Sequence, residues 1–313
     1  MENNVIKDGF VSFLGYKTYY RIVNPCGKKV PLVICHGGPG STHNSYEVLD
    51  DMAFKEDRPI VRYDQLGCGL SSLSSPHTYL WNKETWMDEL NNLREKLGLK
   101  KIHLRGHSWG GRLALLYLLD RKPDGVLSVT LSSTLSSASL WKEETHHLLS
   151  YLPSYEKEAL LKAEEAMDFS SLEYHNAYEH YYHLFIGGPF VKGVDPECLT
   201  REKIKGTEAY LTAWGPCEFA PTGTLKDYEV TSRRKEITCP VLLISGERDE
   251  STPYQNKVRF DSLLNAREKK WCLYPDCPHR TYVYQKKKFE EDLFSFLNEH
   301  DREVSKNDQE SDL

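Results

Sequence analysis

The sequence predicts an α/β fold: a mostly parallel twisted sheet with helices on both faces, interrupted by an inserted helical cap. Three observations carry this. Short apolar runs rich in β-branched residues alternate with amphipathic helical stretches, and strand–helix alternation builds a parallel sheet. The opening "GFVSFLGYKTYYRIV" alternates as an antiparallel hairpin does. Between about 137 and 232 the regularity stops, and the chain becomes aromatic, helix-prone and acidic, with 16 Asp and Glu against 8 Lys and Arg.

In chain order, "VPLVICH" (30–36), "RPIVRYDQ" (58–65), "KIHLRGHS" (101–108) and "VLSVTLSS" (126–133) read as strands, the later ones buried on both faces. "ETWMDELNNLREKLG" (84–98) sets Trp86, Leu90, Leu93 and Leu97 at helical spacing and stops at a glycine. "WGGRLALLYLLDRK" (109–122) is a nearly apolar, hence buried, helix. "CPVLLISG" (239–246) and "KKWCLYPD" (269–276) supply two more strands, and a last helix spans about 283–299. The expected division is a core over 1–136 and 233–313, a cap over 137–232, and a frayed acidic tail from about 300, where apolar residues run out.

Composition narrows the function classes. At 313 residues, 39% hydrophobic and 27% charged, the chain suits a well-packed soluble globule. A net charge of −6 with no basic run argues against a nucleic-acid partner. No apolar stretch approaches the ~20 residues that span a bilayer, and "MENNVIKDGF" lacks the apolar region of a secretory signal. The eight cysteines are scattered without a C-x-x-C pair, which suits reduced thiols in a cytoplasm.

The chemistry gathers at strand ends. "HLRGHSWGGRL" contains G-x-S-x-G (Gly106, His107, Ser108, Trp109, Gly110) between an apolar strand and an apolar helix, the context of a nucleophilic serine on a sharp turn. A capping serine in an ordinary tight turn is the plainer alternative. A serine hydroxyl needs a base, itself oriented by an acid. "VLLISGERDESTP" offers Asp249 after one later strand, and "WCLYPDCPHRTY" offers His279 after the last. Asp276 is the competing acid, though it shares a strand end with His279 and reads as a turn residue. His175, His180 and His183 lie close together, but no carboxylate–histidine pattern of metalloprotease type accompanies them, so neither a metal nor another cofactor is expected. Acyl transfer also calls for two backbone N–H donors aimed at a developing oxyanion. One is expected from Trp109, the residue after the nucleophile, and the other from "HGGPG" (36–40), with Gly38 the first candidate and Gly37 the second.

With "HGGPG", "YDQLGCGLSS" (63–72), "GHSWGG", "GERDESTP" and His279 in hand, the chain resembles the proline iminopeptidase family of α/β-hydrolases over nearly its whole length. Within that family it is similar to the branch that includes the archaeal tricorn-interacting aminopeptidase, through Glu250 directly after Asp249 and Glu218 in "GPCEF". The resemblance implies an α/β-hydrolase fold and a serine exopeptidase that removes one N-terminal residue, often proline, from short peptides or aminoacyl amides. It also implies that Glu218 and Glu250 grip the substrate's α-ammonium, which suits the cost of burying a cation without anions. Read without the resemblance, Glu218 is a solvated carboxylate and Glu250 a charge at a helix start. An amidase or esterase with the same triad is the nearest rival, and a non-catalytic receptor is the rival from another class. His107 departs from the smaller or uncharged residue that family members often carry before the serine.

Overall fold

The computed structural model describes residues 5–74 and 76–310. Met1–Asn4, the start of the segment that lacks a signal-like apolar region, and the last three residues of the expected tail lie outside the described residues. Among the described residues, eight strands form one sheet: β1 (Ile6–Phe13), β2 (Tyr16–Val23), β3 (Leu32–Cys35), β4 (Ile60–Tyr63), β5 (Ile102–His107), β6 (Val126–Ser132), β7 (Val241–Gly246) and β8 (Lys269–Tyr274). Their order across the sheet is β1-β2-β4-β3-β5-β6-β7-β8. The first two pairings are antiparallel and the remaining five parallel. The β1–β2 hairpin turns on Leu14 and Gly15, both at positive φ, the conformation a two-residue type I′ connection needs.

The period-two alternation of the central strands feeds two separate cores. Val33, Cys35, Val61, Leu104, Val241 and Leu243 face one layer, while Leu32, Ile34, Ile60, Leu242 and Ile244 face the other. The first layer is covered by α2 (Lys83–Lys96) through Trp86, Leu90 and Leu93, and by α3 (Trp109–Leu116). Asn82 caps α2, its side chain accepting from Thr85 N–H at 3.0 Å. Beyond α3 the helix widens into a π turn over Tyr117–Arg121. The second layer takes α1 (Asp50–Lys55) and α11 (Lys286–Glu310) through Met52, Phe289, Leu293 and Leu297. α11 runs on to Glu310, past residue 300, where the sequence predicted a frayed tail. No Gly or Pro stops it, and helix formers such as Glu, Lys and Gln recur along "HDREVSKNDQE".

Between β6 and β7 the chain leaves the sheet and forms α4 (Ala138–Leu148), α5 (Ser154–Ala166), α6 (Leu172–Phe185), α7 (Glu197–Thr200) and α8 (Thr207–Ala213). α4, α5 and α6 share an apolar cluster of their own with the segment after α8, including Leu149, Leu160, Tyr181 and Phe219. The outgoing and returning strands of chain run side by side, with Ala138 N–H donating to Tyr228 O at 2.8 Å and Val230 N–H to Ser136 O at 3.0 Å. α9 (Pro253–Ser262) and α10 (Thr281–Tyr284) follow β7 and β8. This arrangement puts the C-terminal ends of the parallel strands beneath the inserted helices, where an open α/β sheet places its ligands.

Candidate active site

Ser108 sits between the last residue of β5 and the first of α3, at φ 54° and ψ −123°. A non-glycine residue held at positive φ marks a turn that its surroundings enforce. The two flanking glycines are required by space rather than by flexibility. A Cβ on Gly106 would lie 2.2 Å from Gly110 O, and one on Gly110 would lie 2.1 Å from Cys35 O. Strand and helix can therefore close on the serine only if both positions lack side chains. The turn is pinned by Ser108 N–H donating to Ser132 O at 3.0 Å and by Thr134 Oγ1 donating to Ser108 O at 2.5 Å.

The loop 36–40 packs directly on this turn. Gly37 faces Ser108, whose Cβ would be 3.2 Å from a side chain there. His36 is fully buried, and burial pushes its pKa down to about 4, so its imidazole is neutral. Its Nε2 accepts from Gln65 N–H at 3.0 Å, which leaves the proton on Nδ1 to donate to Gly37 O at 2.8 Å. Gln65 completes the clamp: its amide donates to His36 O at 3.0 Å and accepts from Trp109 Nε1 at 2.8 Å. Gly37 N–H is taken by Tyr46 Oη at 3.3 Å. Among the described residues, no hydrogen bond engages Gly38 N–H, at φ 113°, or Trp109 N–H at the start of α3. Of the two glycines considered for the oxyanion, Gly38 is the one with a donor to spare.

His279 and Asp249 come together from different strand ends. His279 Nδ1 lies 2.7 Å from Asp249 Oδ1, and Asp249 is fully buried. That carboxylate also accepts from Ser251 N–H at 2.8 Å. The His279 backbone is held on two sides, by its N–H donating to Phe185 O at 2.9 Å and by Ser133 Oγ donating to its carbonyl at 2.7 Å. Asp276 points away: its side chain is 85% exposed and pairs with Arg248 at 2.8 Å. A second tier that sequence reasoning missed ties acid and nucleophile together. Thr134 O accepts from Ser251 Oγ at 2.5 Å and from the buried Arg259, while Thr134 Oγ1 holds Ser108 O. Nothing in the local pattern around Thr134 signals this, since its partners lie 26 and 117 positions away.

A cavity of about 650 Å³ joins these groups and is lined by Gly38, Ser108, His279, Glu218 and Glu250, a volume in the usual range for small-ligand sites. Asp249 stands behind His279, and Trp109 behind the serine turn. Glu218 is fixed by its backbone, its carbonyl accepting from the indole N–H of Trp141 at 3.0 Å and of Trp214 at 3.2 Å. Tyr210 Oη donates to its Oε1 at 2.8 Å. Glu250 is buried; its Oε1 lies 3.6 Å from His279 Nε2, and its Oε2 has no hydrogen-bond partner among the described residues. Burial raises the pKa of Glu218, and burial with the neighbouring Glu218 and Asp249 raises that of Glu250 well above the usual carboxylate range. Two buried carboxylates on one cavity repel each other, and a cation between them would relieve both. His107 also lines the cavity, its ring 4.7 Å from that of His279; burial first, and then His279, hold it well below its ordinary pKa, so it brings no charge to the site.

His180 pairs with Glu156 at 2.6 Å and His183 with Gly188 O at 2.5 Å. Among the described residues no group of three or more His, Cys, Asp or Glu side chains is placed to hold a metal ion, and no helix is long and apolar enough to cross a membrane.

The sheet order, the elbow serine and the paired acid and histidine define an α/β-hydrolase, and a family model of the alpha/beta hydrolase fold matches residues 30–284. The chain is 46% identical to a proline iminopeptidase of Lactobacillus helveticus over 301 residues, covering 95% of this chain and 99% of the relative. A proline iminopeptidase of Clostridioides difficile is likewise 46% identical over 298 residues, at 95% and 99% coverage. The crystal structure of a Mycobacterium smegmatis proline iminopeptidase superposes with a TM-score of 0.83 at 28% identity, covering 95% of this chain and all of that one. The chain belongs to the proline iminopeptidase family of α/β-hydrolases.

Proposed function

We propose that this chain is a serine aminopeptidase that removes one N-terminal residue, often proline, from short peptides. Ser108 Oγ attacks the first carbonyl carbon and passes its proton to His279 Nε2. Asp249 keeps the imidazole in the tautomer that can accept there and stabilises the imidazolium that forms. The oxyanion is held by the N–H groups of Gly38 and Trp109. His279 then protonates the leaving amine, the acyl-enzyme forms, and a water activated by the same histidine releases the N-terminal residue. The helices between 137 and 232 act as a cap that closes the cavity and carries Glu218 to it. Glu218 and Glu250 bind the α-ammonium and so set the cut one residue from the N-terminus.

The observation that carries this reading is Glu250, which lines the cavity that holds Ser108 and whose buried Oε2 has no hydrogen-bond partner among the described residues. An unsatisfied buried carboxylate is costly and is explained by a ligand cation. Hydrolysis of Pro- and Ala-arylamides beside their N-acetylated forms tests it. Cleavage confined to the free-amine substrates is expected. Equal cleavage of the acetylated forms favours the amidase or esterase reading instead.

A further inference from the structure

The same cavity has a basic side that the aminopeptidase reading leaves unused. Arg280, directly after His279, and Lys203, from the segment before α8, both line it. Arg280 is half-buried between the rings of Tyr182 and Phe190, 5.4 and 5.1 Å from its guanidinium carbon. Among the described residues, one of its five N–H donors is engaged, by Tyr182 Oη. Neither cation has a carboxylate partner among the described residues, in contrast to Arg201 at the same mouth, which Glu47 and Glu197 hold. Glu202, exposed between Arg201 and Lys203, forms no ion pair with either cation among the described residues. Burial, and next the nearness of Arg280, lower the pKa of Lys203. Two cations that line one cavity without an ion-pair partner among the described residues favour an anionic ligand there.

We propose that Arg280 and Lys203 form a carboxylate subsite that binds the free C-terminus of dipeptide or tripeptide substrates. The inference rests on the aminopeptidase reading, which orients the peptide. With the ammonium at Glu218 and Glu250 and the scissile carbonyl at Ser108, the leaving residue is the one next to His279, and Arg280 follows that histidine in the chain. A dipeptide extends about 7 Å end to end, and the two carboxylates and the two cations line the one cavity it would occupy. A planar guanidinium with free donors suits a carboxylate.

The test compares kcat/KM for Pro-Gly and Pro-Gly-amide, with Pro-arylamide run alongside. The wild-type protein is expected to prefer the free acid by about tenfold to a hundredfold, the discrimination that charge-assisted contacts support. That preference should fall toward one in Arg280→Gln and in Lys203→Gln, the second substitution standing away from the triad in case the first disturbs His279. A wild-type ratio near one, or a ratio that neither substitution alters, overturns the subsite. Failure to cleave Pro-arylamide at all would instead overturn the aminopeptidase reading.

Discussion

The two sides of the cavity are built differently. The serine side is made of backbone: strand ends, a strained turn and glycines whose missing side chains let Cys35 O and Gly110 O approach within contact distance. The carboxylate side is made of side chains, with Glu218 hung from two indole N–H groups and Glu250 left with an unsatisfied oxygen. Under the proposed roles, the difference makes reaction and recognition separable, which substitutions on each side can test. Groups that must hold a transition state to within tenths of an ångström are set on the rigid sheet. The groups proposed to choose the substrate come partly from the inserted segment, which touches the triad where Phe185 O accepts from the His279 N–H.

If the two sides are separable, substitutions on the serine side abolish turnover on every substrate. The largest effect is expected for Ser108→Ala, on the order of 10⁶ in turnover with folding retained. Activity assays beside circular dichroism check it, and a folded variant with most of its activity would remove Ser108 from the nucleophile's role. Next comes Asp249→Asn, at roughly 10⁴ in kcat through the wrong imidazole tautomer. Asp276→Asn should change kcat little, because that side chain is exposed and bonded to Arg248. The reverse order of these two variants would assign the acid to Asp276.

The serine side was also the more legible in the sequence. Strands alternate with period two and helices with 3.6, so both layers could be read locally, and G-x-S-x-G carries its own geometric reason. Asp249 and His279, which meet at 2.7 Å, could be singled out in the sequence because each follows an apolar strand. What stayed hidden depends on long-range contacts. Gln65 served in the sequence only as part of "YDQLGCGLSS", while in the fold it links His36 to Trp109. Tyr46 Oη removes Gly37 from the donor set, and no local pattern announces that. Arg280 and Lys203, 77 positions apart, line one cavity although their charges look like ordinary surface in the sequence. The C-terminal helix runs past residue 300, where apolar residues end, and Asp301 there pairs with the distant Arg58 and with His103 Nε2 at 3.1 Å, contacts that no local pattern announces.

The most direct test of the separation, and of the claim that the carboxylates read the α-amine, is to measure kcat/KM of Glu250→Gln and Glu218→Gln on Pro-arylamide and on p-nitrophenyl acetate. The arylamide carries the ammonium; the acetate ester uses the same triad without one. The account predicts a loss of about 1.5–3 kcal/mol in transition-state stabilisation on the arylamide, the worth of a charge-assisted hydrogen bond, with little change on the ester. Equal losses on both substrates would contradict it and make the glutamates supports of the triad.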